Sequence, residues 1–438
     1  MTQQPASAET PRSARATSSR ANFAQLLAEP NLRRLWFSQL CSAAGESLAL
    51  IAMPLLVYDL TSSARMVGLI ELLLILPRVI AAPITGLLAD RLDRRRVMMT
   101  ADASRLVLVS LVPLTESFWQ LGFLAVLIAL GNALGRPAEL AAVPSVAGPQ
   151  RLVAALSLMQ VSNGVIRIAV PAVGAAAIAA LGPGPVFWLQ SLCFIGSLIA
   201  LRKLVIPRVT GAVTSLASTG ILRAARDEMW AGIAAIRRIA IVRGVTASEA
   251  LFQLAPAAMT VAGVIYTEET LHLGDRAQSA FALMTTSMAA GAVVGALVAH
   301  RVESRIGRPL LLALGYTGPL FLTAAFFSPP MAVIYAAWFC FGFLDAFAVI
   351  SFQAYLAEAV PEELRGRVYA AWGAIVSLAS AIAYSLMGVV TPWFGAPHTL
   401  ALAGLIVGIG GSLTLVATGA LRSVLGGSAV VTRTDRGE

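Results

Sequence analysis

Long runs of apolar residues recur along the chain, each near the length of roughly 20 residues that a helix needs to cross a bilayer. Charged residues, Gly or Pro bound these runs, and a polar segment at 202–243 divides them into two groups of six. The first group is predicted at 35–58, 66–89, 97–116, 118–142, 152–181 and 185–201. The second is predicted at 244–266, 278–300, 309–328, 331–357, 367–391 and 397–421. The pattern predicts an all-α membrane protein with twelve transmembrane helices in two six-helix bundles.

Composition agrees with this class and excludes an ordinary soluble protein. Hydrophobic residues make up 58% of the 438 residues and charged residues only 13%, against about 45–50% and about 25% in soluble domains. The net charge of +9 is the one feature that could indicate a nucleic-acid partner. The positions of the basic residues, however, explain the charge without nucleic acid.

Arginine and lysine are distributed unevenly between the two sides of the predicted topology. Of the 32 basic residues, only Arg65 and Arg276 fall in loops on the outer side, and four more lie within spans. Cytoplasmic loops of membrane proteins carry an excess of Arg and Lys. We therefore predict that both termini are cytoplasmic and that the chain is a multi-pass protein of the bacterial cytoplasmic (inner) membrane.

The same pattern predicts the domain organisation. We expect a disordered cytoplasmic tail at 1–34, a bundle at 35–201, a cytoplasmic connector at 202–243, a second bundle at 244–421 and a cytoplasmic tail at 422–438. The connector contains an amphipathic stretch with Trp230, Ile233 and Ile236 at helical spacing. We expect this stretch to lie on the inner membrane surface, with a regulatory element as the alternative.

Two pairs of similar loops indicate an internal repeat, so that the bundles are pseudo-symmetric. Gly86–Arg96 (GLLADRLDRRR), after the second span, resembles Gly295–Arg308 (GALVAHRVESRIGR), after the eighth. Val146–Leu156, after the fourth span, resembles Val360–Ala371, after the tenth. In each pair the two loops follow corresponding spans of the two halves, and both contain charged residues and glycine.

The first of these loops carries a recognisable motif. Gly86, Asp90, Arg91, Arg94 and Arg95 resemble the loop 2–3 signature of the major facilitator superfamily, and flanking segments are similar to its bacterial drug:proton antiporter branch of enterobactin- and macrolide-type exporters. The resemblance covers nearly the whole chain except the tails. It implies export of small organic molecules by alternating access, driven by the proton gradient.

The fifth span departs from the pattern of that superfamily. The antiporter signature G-x-x-x-G-P-x-x-G-G corresponds here to Ile166–Ala175, where Pro171 and Gly174 remain and three of the glycines are replaced. The replacements put the tight packing of this helix, and with it the antiport assignment, in question.

The loop 2–3 arginines can hold the inner surface shut by pairing with acids and helix ends of the other half, and Asp90 can take part. Setting the topology is the alternative role of these arginines. Asp102 with Arg105, and Arg136 with Glu139, are spaced three apart and can pair along one helix face. We interpret these two pairs as gate partners, or as structural clamps near the cytoplasmic surface.

Ionisable residues inside a bilayer are costly unless paired or hydrated, and each is therefore a candidate functional residue. We expect Glu46 and Asp345, near the middle of the first and tenth spans, to couple protons. The alternative is that each is a buried acid satisfied by a neighbour, and Arg78 or Arg167 could serve Glu46. Phe341, Asp345 and Phe352 can share one helix face and suit a cationic or amphipathic substrate, although helix packing explains the same spacing.

Several chemistries are missing from the sequence. It contains no G-x-x-x-x-G-K-[ST], no H-E-x-x-H and no G-x-S-x-G, so we predict neither an enzyme nor a metal site nor a cofactor other than the proton gradient. The expected partners are a small-molecule substrate, protons and the lipid bilayer, with no nucleic acid, and the protein is expected to be a monomer. The rival hypotheses are a solute-uptake symporter, a lysophospholipid flippase of the same fold, and a non-transporting membrane sensor or scaffold.

Overall fold

In a computed structural model, residues 23–148, 150–206, 221–327 and 329–417 are described, and this part of the chain contains helices and no strand. The helices of the first half are α1 Phe23–Ala28, α2 Pro30–Thr61, α3 Ala64–Arg91, α4 Arg94–Leu111, α5 Phe118–Ala147, α6 Leu152–Leu181 and α7 Val186–Arg202. Helix α8, Ile221–Arg238, follows. The helices of the second half are α9 Ala240–Phe252, α10 Leu254–Ile265, α11 Ala277–Ile306, α12 Arg308–Gly315, α13 Met331–Ala359, α14 Glu362–Phe394 and α15 Ala396–Ala417.

Ten helical segments of the described chain are long and apolar enough to cross a membrane. Ten of the predicted spans correspond to these segments. The two others lie on α3, a helix of 28 residues, and on α7, which is apolar but only 17 residues long. The helical class is therefore confirmed, while the count of twelve crossings and the side of the termini stay predictions.

The predicted disordered tail at 1–34 is wrong for residues 23–34. Helix α1 lies there, and α2 begins at Pro30, whose fixed φ suits the first turn of a helix. Leu26 and Leu32 are buried in the cluster that also includes Leu35 and Leu201, and this burial offsets the entropy lost on ordering the segment. Residues 1–22, and the C-terminal tail at 422–438, lie outside the described residues.

Two of the predicted spans are interrupted, and proline explains both interruptions. Helices α9 and α10 meet at Gln253 because Pro256 has no N–H to donate to the carbonyl of Phe252. Helix α12 ends at Gly315, four residues before Pro319, and the chain continues as a 3₁₀-helix over Gly318–Phe327. A hydropathy pattern alone shows one apolar run in each case.

The packing of the second half repeats that of the first. Helix α3 packs on α5, as α11 packs on α13, and α2 packs on α7, as α9 and α10 pack on α15. The two halves contact each other through α3 with α14 and through α6 with α11, so that the second helix of each half meets the fifth helix of the other. This exchange of partners is what a two-fold repeat requires.

The halves are joined at the end of the molecule where α2 turns into α3, which we call the closed end. There α3 and α14 approach so closely that a Cβ on Gly68 would lie 2.5 Å from the carbonyl oxygen of Tyr384 and 3.1 Å from the Cα of Gly388. Glycine is needed on both helices because a side chain would force the backbones apart.

Candidate functional site

The buried Arg105 organises polar groups inside the first half. Arg105 forms ion pairs with Asp102, with Glu46 at 3.5 Å and with Glu139 at 3.6 Å. Its Nη1 also donates a hydrogen bond of 2.8 Å to Oδ1 of Asn132. We call Glu46, Asp102, Arg105, Asn132 and Glu139 the Arg105 cluster. The guanidinium is only 2% exposed, so these contacts replace its hydration.

Three helices supply the cluster, and local spacing explains their contributions. Asp102 and Arg105 lie one turn apart on α4, and Asn132 and Glu139 lie two turns apart on α5, so each pair shares a face. Glu46 comes from α2. Helix α7 contributes the next layer: Ser197 Oγ donates to Oδ2 of Asp102 at 2.5 Å, and the ring of Phe194 stacks on Arg105 at 4.8 Å.

Two glycines on α5 make room for the arginine. A Cβ on Gly131 would lie 3.2 Å from Cγ of Arg105, and a Cβ on Gly135 would lie 3.1 Å from Cβ of Ala101. Helices α4 and α5 can therefore pack closely while the long side chain of Arg105 runs between them. Arg136, beside these glycines, pairs with Glu139 at 3.6 Å but is 65% exposed.

Glu46 connects the cluster to a cavity. Its side chain is 48% exposed, whereas Asp102 and Glu139 are buried. The cavity has a volume of about 230 Å³. It is lined by acids, a base, amides and apolar side chains: Glu46, Ala49, Leu50, Met53, Glu71, Leu74, Arg78, Val109, Ile128, Asn132, Phe187 and Gln190. Such a mixed lining suits an organic molecule with polar and apolar parts.

The second half has a smaller group of acids. Glu249 on α9 accepts a hydrogen bond of 3.2 Å from Nε2 of Gln253, and Oε1 of Gln253 accepts one of 3.1 Å from Ser380 on α14. Asp345 on α13 is half-buried and lies within electrostatic range of Glu249 and of Tyr316. These groups link three helices of the second half.

The two aromatic residues predicted beside Asp345 are packing residues in this conformation. Phe341 stacks on Phe252, with ring centroids 5.9 Å apart and planes inclined by 12°. Phe352 packs on Trp372 with centroids 4.8 Å apart. Both side chains are buried. The contacts agree with the packing alternative that the helical spacing left open.

The loop 2–3 arginines bind helix ends of their own half. Arg94 donates to the carbonyl of Ala141 at 3.0 Å and to Ser145 Oγ at 2.6 Å, both on α5, and Arg95 donates to the carbonyls of Leu201 and Arg202 at the end of α7. A gate to the other half stays a prediction. Gly86 and the side chains of Asp90, Arg91 and Arg167 lie outside the part of the chain that the structure describes in detail.

The equivalent arginine of the second half makes the same kind of contact. Arg308, the first residue of α12, pairs with Glu303 on α11 at 2.7 Å and with Glu358 on α13 at 2.6 Å. Arg94 is likewise the first residue of α4 and reaches α5. The two loops whose sequences resemble each other thus use an arginine in corresponding positions.

Polar contacts cross between the halves at the closed end. The hydroxyl of Tyr58 donates to Oε1 of Glu269 at 2.5 Å. Nε2 of Gln278 lies 2.9 and 3.0 Å from the two carboxylate oxygens of Asp59. We call Tyr58, Asp59, Glu269 and Gln278 the latch. Because one partner of each bond belongs to each half, the latch must break when this end opens.

Comparison with known proteins decides the family. The family model described as Major Facilitator Superfamily matches residues 35–384 and 252–428. The chain belongs to the Major Facilitator Superfamily. It is 26% identical to the multidrug efflux pump Tap of Mycolicibacterium fortuitum over 372 residues, which cover 80% of this chain and 87% of Tap.

Two other proteins are similar over a still larger share of this chain. The enterobactin exporter EntS of Salmonella choleraesuis is 26% identical over 412 residues, covering 92% of this chain and 95% of EntS. A variant of the nucleoside transporter NupG has a similar fold, with a TM-score of 0.72 at 11% identity over 89% of this chain and 99% of NupG. The protein is thus a transporter of this superfamily and a multi-pass protein of the bacterial cytoplasmic membrane.

The structure of this superfamily member brings several of the predicted site residues together in the first half. The pairs Asp102–Arg105 and Arg136–Glu139 are both present. The first pair belongs to the Arg105 cluster with Glu46, and Arg136 contacts that cluster through Glu139. Arg78 lines the cavity with Glu46, but the described partner of Glu46 is Arg105. Asp345 lies in the other half.

The remaining motif residues have a packing role. Pro171 lies inside α6, and Gly174 faces α2, where a Cβ would lie 3.3 Å from Cδ2 of Leu48. Close packing of α6 on α2 therefore persists at Gly174, although other glycines of the signature are replaced. This observation concerns packing and leaves the antiport assignment untested.

Sequence reasoning missed the cavity role of Asn132 and Gln190 and the whole latch. Asn132 could have been found, because an amide within an apolar span is costly unless it has a partner. The latch residues gave no such signal, since polar residues at span ends are ordinary.

Proposed function

We propose that the protein exports small organic molecules across the cytoplasmic membrane by proton antiport and alternating access. The observation that carries the proposal is the Arg105 cluster, in which a buried guanidinium meets three carboxylates and one of these reaches a cavity. The direction of transport is supported by the similarity to Tap, named a multidrug efflux pump, and to EntS, named an enterobactin exporter.

The charge of the cluster makes it suitable for binding a proton. When Glu46, Asp102 and Glu139 are all ionised, they outnumber the buried base, and exposed Arg136 compensates only in part. Excess negative charge is costly in a medium of low dielectric. Binding of one proton reduces that excess while Arg105 keeps its remaining ion pairs.

Glu46 is the acid through which the proton and the substrate would compete. It is the only member of the three carboxylates whose side chain is half exposed, and it faces the cavity that also contains Glu71 and Arg78. A substrate bound in this cavity would favour release of the proton from Glu46, and protonation of Glu46 would favour release of the substrate. Such reciprocal coupling is the basis of exchange.

The conformation fits one state of an alternating-access cycle. With the termini in the cytoplasm, as the arginine distribution predicts, the closed end with its latch is extracellular. The protein would then face inward, the state that loads substrate for export. The opposite state requires the latch to open and the other end of the bundles to close.

The test is proton flux in proteoliposomes that contain the purified protein and a pH-sensitive dye in the lumen. A panel of organic dyes and antibiotics is added with and without an imposed pH gradient. We expect at least one compound to move in the direction opposite to protons, and we expect Glu46→Gln to uncouple the two fluxes. Glu116→Gln, which neutralises an exposed acid between α4 and α5, is the matched control and should behave as wild type.

Two results would contradict the proposal. Movement of protons and compound in the same direction would establish a symporter. Unchanged coupling in the double variant Glu46→Gln plus Asp345→Asn would show that neither acid carries the proton.

A further inference from the structure

Helix α8, which follows the first half, packs tightly against the start of α14. A Cβ on Gly232 would overlap the carbonyl oxygen of Arg367 and lie 2.8 Å from Cβ of Ala371. Ala235 and Ile236, on the same face of α8, are buried. The apolar face of this amphipathic helix is therefore buried against the rest of the protein.

Trp230 lies away from that buried face. The sequence predicted that Trp230, Ile233 and Ile236 share one apolar face, but Ile236 is buried, Ile233 is half-buried and Trp230 is 60% exposed. At 100° per residue, Trp230 points about 160° from Gly232. Trp230 therefore places a large amphipathic ring outside the protein core, and tryptophan rings of this kind are enriched at the interface between water and the bilayer.

The side of α8 that carries Trp230 is basic. Arg226 is four residues before Trp230 and Arg237 seven residues after it, so both lie within about 40° of it on the helix surface. Both are exposed, and the one described ion pair of either is that of Arg226 with its exposed neighbour Asp227 at 3.3 Å. We call Arg226, Trp230 and Arg237 the α8 flank.

More exposed arginines surround the same helix. Arg238 ends α8, Arg243 lies on α9, and Arg365 and Arg367 lie at the start of α14, against which α8 packs. Arg243 donates to the carbonyl of Arg237 at 2.8 Å. This concentration of positive charge is complementary to an anionic surface, and tryptophan between arginines is the composition that favours the headgroup region of a bilayer.

We propose that the α8 flank binds the headgroups of anionic lipids in the inner leaflet, with Trp230 inserted at their level. The proposal needs the cytoplasmic placement of the connector but neither proton coupling nor export. Since α8 is fixed to α14, and α14 packs along α3 of the other half, bound lipid would act on a helix that lies at the interface of the two halves.

The experiment measures contact between Trp230 and lipid directly. The full-length protein is reconstituted in phosphatidylcholine vesicles containing phosphatidylglycerol, and the lipid brominated near its headgroup is either the phosphatidylglycerol or the phosphatidylcholine. Bromine quenches tryptophan fluorescence on contact. The chain has seven tryptophans, so the difference between wild type and Trp230→Phe gives the signal of Trp230.

We expect Trp230 to be quenched more strongly by the brominated phosphatidylglycerol than by an equal fraction of brominated phosphatidylcholine. Arg226→Gln plus Arg237→Gln should lower this preference about fivefold for each arginine removed, while Arg226→Lys plus Arg237→Lys should keep most of it. Arg301→Gln plus Arg305→Gln, which removes two exposed arginines at the end of α11, is the control and should leave it unchanged.

Three results would overturn the proposal. The first is equal quenching of Trp230 by both lipids, and the second is no quenching by either, which would mean that another partner or water covers the flank. The third is a loss of preference in the α11 control as large as that in the flank variant. Monodisperse elution of each variant in detergent shows that it has folded, and the single variants Arg226→Gln and Arg237→Gln give the same test if the double glutamine variant does not fold.

Discussion

Removing the hydroxyl of Tyr58 should shift the balance between the two states of the transporter. Tyr58→Phe deletes the 2.5 Å hydrogen bond to Glu269 and leaves the buried ring in place. The bond joins the two halves only while the closed end is closed. Its loss therefore destabilises this state and leaves the opposite state, in which the bond is already broken, unchanged.

The size of the shift follows from the nature of the bond. Hydrogen bonds to charged groups contribute about 1.5–3 kcal/mol, and the lower value applies because Glu269 is exposed and water can replace the hydroxyl. A loss of about 1.5 kcal/mol changes the equilibrium roughly tenfold. A minor state populated at about 1% would then rise to about 10%.

The assay is the distribution of distances between spin labels at Leu92 and Arg305, exposed residues after α3 and near the end of α11, at the opposite end from the latch. The native cysteines must first be replaced: Cys41, Cys193 and Cys340. Closure of this end shortens the distance, so the short-distance population should grow about tenfold in Tyr58→Phe.

Tyr335→Phe makes the same chemical change at a half-buried tyrosine of α13 that is not part of the latch and whose hydroxyl forms no hydrogen bond within the described part of the chain, and it serves as the control for the spin-label assay. The reasoning is refuted if the short-distance population is the same in Tyr58→Phe as in wild type. It is equally refuted if Tyr335→Phe produces the same increase.

Two further predictions concern stability, measured as thermal unfolding in detergent. Arg105→Gln should lower the free energy of unfolding by about 3–5 kcal/mol because it leaves buried carboxylates without their base. Arg136→Gln, which removes an exposed partner, should lower it by less than about 1 kcal/mol. Equal effects of the two variants would contradict a central role for Arg105. Gly291→Ala should lower the free energy of unfolding by about 1–3 kcal/mol because the new Cβ would overlap the carbonyl oxygen of Phe339 on α13. Gly373→Ala, where the space is open, is the control and should not lower the unfolding temperature. If Gly291→Ala does not lower it either, α11 and α13 are less tightly packed than described.

Much of the helical architecture could be predicted because lipid imposes a length and a polarity on every span. The run 331–357 lies on α13, the described part of the run 397–421 lies on α15, and the charged segment of loop 2–3 spans the end of α3 and the start of α4. Hydropathy did not detect the interruptions at Gln253 and Gly315, because a proline inside an apolar run changes the backbone without changing the polarity. It also missed α1, whose order depends on burial of Leu26 by distant residues.

The candidate site was predictable within each helix and unpredictable between helices. Asp102 and Arg105 were expected to pair because residues three apart share a helix face. The contact of Arg105 with Glu46, 59 residues away, depends on how α2 and α4 both pack on α5 and α7, which spacing along the chain does not encode. The latch has the same character, since Tyr58 and Glu269 are 211 residues apart.

The central claim is that Glu46, held by Arg105, exchanges a proton for the substrate. The direct measurement is proton release from the detergent-solubilised protein in unbuffered solution, followed with a pH indicator, when a transported compound from the dye and antibiotic panel is added. The account predicts release of about one proton per bound molecule by wild type, and none by Glu46→Gln although that variant still binds the compound. Undiminished release by Glu46→Gln would contradict it.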